Sequence, residues 1–112
     1  MSTEPQTAWA PQACTLPAEE RPLRVAEFDE LFATSVRGVE RRESTALRME
    51  LDATDEVAAR TASLVMREAG CCSFFTFSLV ATGGRLRLDI TVPEAEAEVL
   101  NALQAQATAA AR

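Results

Sequence analysis

Two adjacent cysteines, Cys71 and Cys72, are the residues of this chain whose type and spacing could do chemistry; Gly70 precedes them and the run Ser73-Phe74-Phe75-Thr76-Phe77 follows. Paired thiolates select soft ions such as Cu(I), Zn(II), Hg(II) or trivalent arsenic over hard cations. Cys14 is the one other cysteine and makes a candidate third ligand. Three thiolates suit a two-coordinate or trigonal soft ion better than structural zinc, which wants four ligands. The CxxC spacing of a thioredoxin-type dithiol is absent, and a disulfide between neighbours would be strained and labile, a sensor rather than a staple. The plainer reading makes both cysteines small buried hydrophobes. Against it, an extended backbone would send the two side chains to opposite faces, leaving one accessible.

The missing residue types narrow the chemistry further. The chain has no His, Lys or Tyr. Ser-His and Cys-His nucleophiles, imidazole metal sites, Schiff-base lysines and the P-loop lysine are therefore excluded. All 11 basic residues are Arg, against 17 Asp plus Glu, for a net charge of −6. That balance repels phosphate backbones, so no direct nucleic-acid partner is expected. No apolar run approaches a membrane span and no basic apolar segment leads the sequence, so no membrane partner is expected and the expected location is the cytoplasm, with reduced thiols. With 112 residues, 47% of them hydrophobic and 25% charged, the chain has room for a single core.

The elements that must position the cysteines follow from periodicity. Residues 1–20, with Pro5, Pro11 and Pro17 and no period, read as a mobile N-terminal arm, although Trp9 and Cys14 are unusual in such a tail. From Pro22, the residues Val25, Phe28, Leu31, Phe32 and Ser35 fall on one side of a helix. Val36 to Arg42 can pair across a turn at Glu43-Ser44-Thr45 with the strand Ala46 to Asp52, where Leu47, Met49 and Leu51 alternate with Arg48, Glu50 and Asp52. Thr54 can cap a helix over Asp55 to Ala69, with Val57, Thr61, Leu64, Val65 and Glu68 inward and Gly70 as its stop. Cys72 to Val80 then reads as a strand with Phe75, Phe77 and Leu79 on one face and Cys72, Phe74, Thr76 and Ser78 on the other. A glycine turn leads to the strand Arg85 to Val92, and Pro93 opens a last helix docked by Val99, Leu100 and Leu103.

The order α-β-β-α-β-β-α implies an α+β fold, a four-stranded, mainly antiparallel sheet with helices on one face. The single domain is expected over 21–106, with 107–112 frayed. Two helix-hairpin units of similar length suggest a pseudo-repeat. Phe74 on the polar sheet face would be an apolar patch, and makes a homodimer the expected assembly.

Other charged groups read first as solvated surface. Arg85, Arg87 and Asp89 share a strand face and, like Arg41-Arg42 near a turn, could clamp an anion, but alternating charge on a strand is ordinary. Asp29 with Glu30 and Asp52 with Asp55 fit helix surface and capping. The partial negative charge of a helix C-terminus disfavours thiolate formation at Cys71 and Cys72, and Arg67, Arg85 or Arg87 could offset it. A soft metal displaces the thiol proton itself, so this placement penalises nucleophilic or redox catalysis more than metal capture.

The segments ACTLP, PLRVAEFDELFA and REAGCCSFFTFSLVATGGRLRLDITVP, within Cys14 to Leu103, resemble small bacterial proteins known mainly from genome sequences that carry a Cys-Cys-(Ser or Pro)-Phe motif between a helix and a strand. CCSFFTF, Cys71 to Phe77, is the most specific element. A looser similarity is to thiol proteins of mercury and arsenic resistance, including organomercurial lyase, whose cysteine spacing this shorter chain does not reproduce. That similarity implies Asp89 or Asp52 as the proton donor of a lyase. The expected function is capture of a soft metal or metalloid by Cys71 and Cys72, assisted by Cys14, as a carrier, sensor or resistance accessory. The alternatives are a non-enzymatic dimerising module with buried cysteines and a thiol enzyme of the lyase kind.

Overall fold

The computed structural model describes residues 21–110, the side chains of 21–24 excepted. The arm over 1–20, with Trp9 and Cys14, lies outside the described residues.

Helix α1 (Arg21–Ser35) runs directly into strand β1 (Val36–Glu43), which turns through Ser44-Thr45 into β2 (Ala46–Leu51). Helix α2 (Asp55–Cys71) crosses to the hairpin β3 (Thr76–Thr82) and β4 (Arg85–Thr91), and a short 3₁₀ turn over Glu94–Glu96 leads into α3 (Ala97–Ala110). The sheet is antiparallel throughout in the order β1-β2-β4-β3. The expected α+β class and element order are therefore those of the fold. Each α-β-β unit contributes its second strand to the centre, where β2 and β4 pair from Ala46 opposite Thr91 to Leu51 opposite Leu86.

Strand alternation divides the two faces. Leu47, Met49 and Leu51 of β2 and Leu86, Leu88 and Ile90 of β4 are buried beneath the helices. They meet Phe28, Leu31 and Phe32 of α1, Leu64 and Val65 of α2, and Val99, Leu100, Leu103 and Ala107 of α3. Each Val, Leu, Ile, Met or Phe among them contributes about 1.5–3 kcal/mol by leaving water. Ala107 is fully buried within α3. The ends of the sheet are tied by backbone bonds: the Asp52 N–H donates to the Ser35 carbonyl and the Val92 N–H to the Thr45 carbonyl.

Local signals explain the boundaries. Thr54 caps α2, its Oγ1 accepting from the Val57 N–H at 3.1 Å, with Asp55 and Glu56 at the positive end of the helix. Gly83 and Gly84 take φ values of +59° and +77°, the left-handed pair that a two-residue hairpin turn demands. Gly70, by contrast, does not stop α2. It keeps a negative φ, and the Cys72 N–H donates to the Glu68 carbonyl at 2.8 Å, carrying the helix on through Cys71.

The expected strand over Cys72 to Val80 is also displaced. Residues Cys72 to Phe75 form a turn closed by the Phe75 N–H on the Cys72 carbonyl, and β3 starts only at Thr76. The reason is pairing: Thr76 faces Thr91, the last residue of β4, and beyond it Val92 bonds to Thr45 while Pro93 has no N–H to offer. Phe74 therefore does not sit on the polar sheet face. It packs against the core and its ring lies 4.7 Å from that of Phe75, which removes the apolar patch on which the expected homodimer rested.

Candidate functional site

The cysteine pair sits at the junction where α2 ends and the turn into β3 begins. Cys71 is the last helical residue and is half-buried; Cys72, one residue on, is fully enclosed. The two thiol positions thus differ in access, as the alternation argument anticipated, but the cause is the helix end rather than a strand. The following Phe74, Phe75 and Phe77 form a run of tilted rings that joins the core, with Phe75 and Phe77 centred 5.2 Å apart.

The group next to the buried sulfur is Glu68. Its side chain is 1% exposed, and Oε2 lies 3.0 Å from Cys72 Sγ. The contact follows from helical spacing, since a residue and its i+4 neighbour lie on one face a turn apart. The sequence puts Glu68 on the inner side of α2 but does not assign it to the site; its spacing of four residues from Cys72 is the signal that points there. Cys72 is disulfide-bonded, which departs from the expectation of reduced thiols. A disulfide sulfur has no proton, so in this state Glu68 is a polar neighbour of the bond, and after reduction the same 3.0 Å separation suits donation from the Cys72 thiol to Oε2 of Glu68.

The supporting residues expected around the cysteines are elsewhere. Arg67 donates to Glu27 on α1 at 3.0 Å. Arg85 pairs with Thr82, at the opposite end of β3 from the cysteine turn, and donates to Glu50. Arg87 and Arg48 both donate to Asp89 on the outer sheet face, at 3.1 and 2.8 Å. Burial pushes the Asp89 carboxyl up, but the two guanidinium bonds outweigh it and hold the group below the ordinary carboxylate range. Hydrogen bonding to Asp89 raises Arg48, and bonding to Glu50 raises Arg85. These cations are committed to carboxylates, so they form neither an anion clamp nor a charge offset for the thiols. Of the implied lyase donors, Asp89 is held on the outer face and Asp52 is paired with Arg37, so neither meets the sulfurs.

Arg41 has a different task from the expected anion clamp. Its guanidinium donates to the carbonyls of Glu43 and Ser44, both at 2.9 Å, and to Asn101 and Gln104 of α3 at 2.8 and 2.7 Å. It fastens the β1-β2 turn to the last helix. Arg42 pairs with Glu40, and Asp29 accepts from Gln106 across α1 and α3.

Among the described residues, no group of three or more Cys, Asp or Glu side chains is gathered to hold a metal ion. The described residues supply at most two thiols and one carboxyl at this junction, and Cys14, the expected third sulfur ligand, lies outside them. No described helix is long and apolar enough to cross a membrane. No protein-family model matches the chain, and no curated protein or solved structure does.

Proposed function

We propose that the protein is a non-enzymatic thiolate site that captures a soft metal or metalloid ion in its reduced state, through Cys71 and Cys72 with Cys14 as third ligand. The observation that supports this reading best is the pair itself, one half-buried and one enclosed sulfur position at the end of α2 with the Glu68 carboxyl 3.0 Å from the inner one. A dithiol reductant delivers two electrons and two protons to the disulfide at Cys72, becoming a disulfide itself and leaving both of the joined sulfurs as thiols. A soft ion then displaces the thiol protons as the sulfurs close on it. Hg(II), trivalent arsenic, Cu(I) and Zn(II) are the candidate cargo, and a set of two or three thiolates favours ions content with that many sulfur ligands.

No activating histidine or lysine exists, and the arginines lie in ion pairs away from the sulfurs, which supports capture over catalysis. The test is native mass spectrometry of the reduced and the oxidised protein with equimolar Hg(II), As(III), Zn(II) or Cu(I). One ion per reduced chain, lost on oxidation and in Cys71→Ser and Cys72→Ser, is expected. Retention by the double Ser variant, or no retention by the reduced protein, overturns the proposal; Cys14→Ser then reports on the third ligand.

A further inference from the structure

The two edges of the sheet are built differently. Edge strand β1 is guarded in the usual way: its register with β2 shifts at Val36/Gly38 and again at Arg41/Glu43, and Arg37, Glu40, Arg41, Arg42 and Glu43 line it. Edge strand β3 has none of these devices. Its sequence, TFSLVAT, contains no charge, proline or glycine, and its ladder with β4 is regular over all seven residues. No strand pairs with its outer side among the described residues. A long, flat, uncharged edge is a template for another strand.

The burial pattern indicates what is missing beyond that edge. Leu88 and Ile90 of β4 are fully buried on the helix side, yet their cross-strand neighbours Leu79 and Phe77 are only half-buried. Helix α2 reaches β3 but leaves Phe77 and Leu79 only half-covered toward the open edge. An added strand with apolar residues at alternate positions would complete that cover.

We propose that β3 is the interface by which two copies of this chain associate, pairing antiparallel about Leu79 to join two four-stranded sheets into one. This register sets Leu79 opposite its own copy, Phe77 opposite Ala81, Ser78 opposite Val80 and Thr76 opposite Thr82. Phe77, Leu79 and Ala81 then meet on the helix side of both copies, and the uncharged Thr76, Ser78, Val80 and Thr82 on the outer face. The strand is also the neutral part of a chain with net charge −6, so pairing there brings no like charges together. The rival occupant is the arm over residues 1–20, which Pro5, Pro11 and Pro17 break into short runs; a monomer in the test below would leave the edge to it. The proposal does not depend on the cysteines.

The experiment is sedimentation of the full chain across concentration, with the variants Ser78→Lys/Val80→Lys and Ser78→Glu/Val80→Glu. Ser78 lies on the outer face opposite Asp89, where a longer side chain has room, and both double variants should fold as judged by circular dichroism. Wild type should be dimeric at about 100 μM, and each double variant should weaken self-association at least about tenfold through like charges set opposite. An equimolar mixture of the two variants should restore the dimer, since Lys then faces Glu. A wild-type monomer at that concentration overturns the proposal. So does a dimer that both variants leave unchanged, which would place the contact elsewhere.

Discussion

Cys72 Sγ lies 3.0 Å from Oε2 of Glu68 at a point where neither side chain reaches water, and Cys71, the preceding residue, is half-buried. One turn of helix separates the carboxyl from the sulfur, and one residue separates the enclosed sulfur from the more accessible one. This asymmetry predicts unequal thiols in the reduced protein. Cys71 should be alkylated at least about a hundredfold faster than Cys72, a factor that corresponds to roughly 3 kcal/mol of local opening. Peptide mass mapping after timed labelling measures both rates; equal rates would show that the turn over Cys72 to Phe75 opens freely. Glu68→Gln, which keeps the shape but exchanges the carboxyl for an amide, should change the hydrogen bond at the Cys72 thiol and shift the S–H stretching frequency of reduced Cys72 in the Raman spectrum, whereas an unshifted band would show that the thiol does not bond to Glu68.

Asp89 predicts part of the acid response. Its folded carboxyl lies below the ordinary range because Arg48 and Arg87 outweigh the cost of burial. A carboxyl lowered on folding contributes stability that is present above its unfolded value, about 3.9, and lost as pH falls through the folded value. Asp89→Asn should therefore melt a few degrees below wild type at neutral pH, with the gap narrowing below about pH 4. A constant gap across that range, measured by thermal melts, would mean that Asp89 does not titrate differently on folding.

Thr61 predicts a stabilising change. Its Oγ1 is enclosed in α2 without a hydrogen-bond partner among the described residues. A buried hydroxyl left unpaired costs about 1–3 kcal/mol, and Val has nearly the same shape with no such group. Thr61→Val should raise the midpoint of urea unfolding by an amount equivalent to about 1 kcal/mol. A loss of stability instead would reveal that the hydroxyl bonds to a water.

Arg41 predicts a structural penalty at a surface position. Four bonds from its guanidinium join the β1-β2 turn to Asn101 and Gln104 of α3. Arg41→Ala should destabilise the fold by about 1–2 kcal/mol, since each hydrogen bond contributes about 0.5–1.5 kcal/mol net and the four share one side chain. Arg41→Lys should recover little, because a single ammonium cannot span the four acceptors in the planar fork geometry. Hydrogen exchange should show faster exchange in the turn and the middle of α3, while β3 and β4 stay protected.

The sequence by itself determined the α+β class, the order of elements and the inward faces, because these rest on local periods. The 2-residue alternation of Leu47, Met49 and Leu51, the i, i+3, i+4 spacing of Thr61, Leu64, Val65 and Glu68, the Thr54 cap and the Gly83-Gly84 turn each act within a few residues. What only the tertiary structure decided was where local preference yields to a missing or distant partner. Gly70 and the aromatic Phe74-Phe75 looked like a stop and a strand, but β4 has no free ladder positions beyond Thr91, so the helix runs on through Cys71 and the chain turns over Cys72 to Phe75 instead. Likewise residue type alone points Arg67, Arg85, Arg87 and Asp89 toward the cysteines, yet each guanidinium is neutralised by a carboxylate that the packing brings to it, which for Arg67 is Glu27, 40 residues away in sequence. Charge pairing across elements depends on distances in space that no local period encodes, whereas the contact of Glu68 with Cys72, four residues apart on one helix face, lay within reach of the sequence.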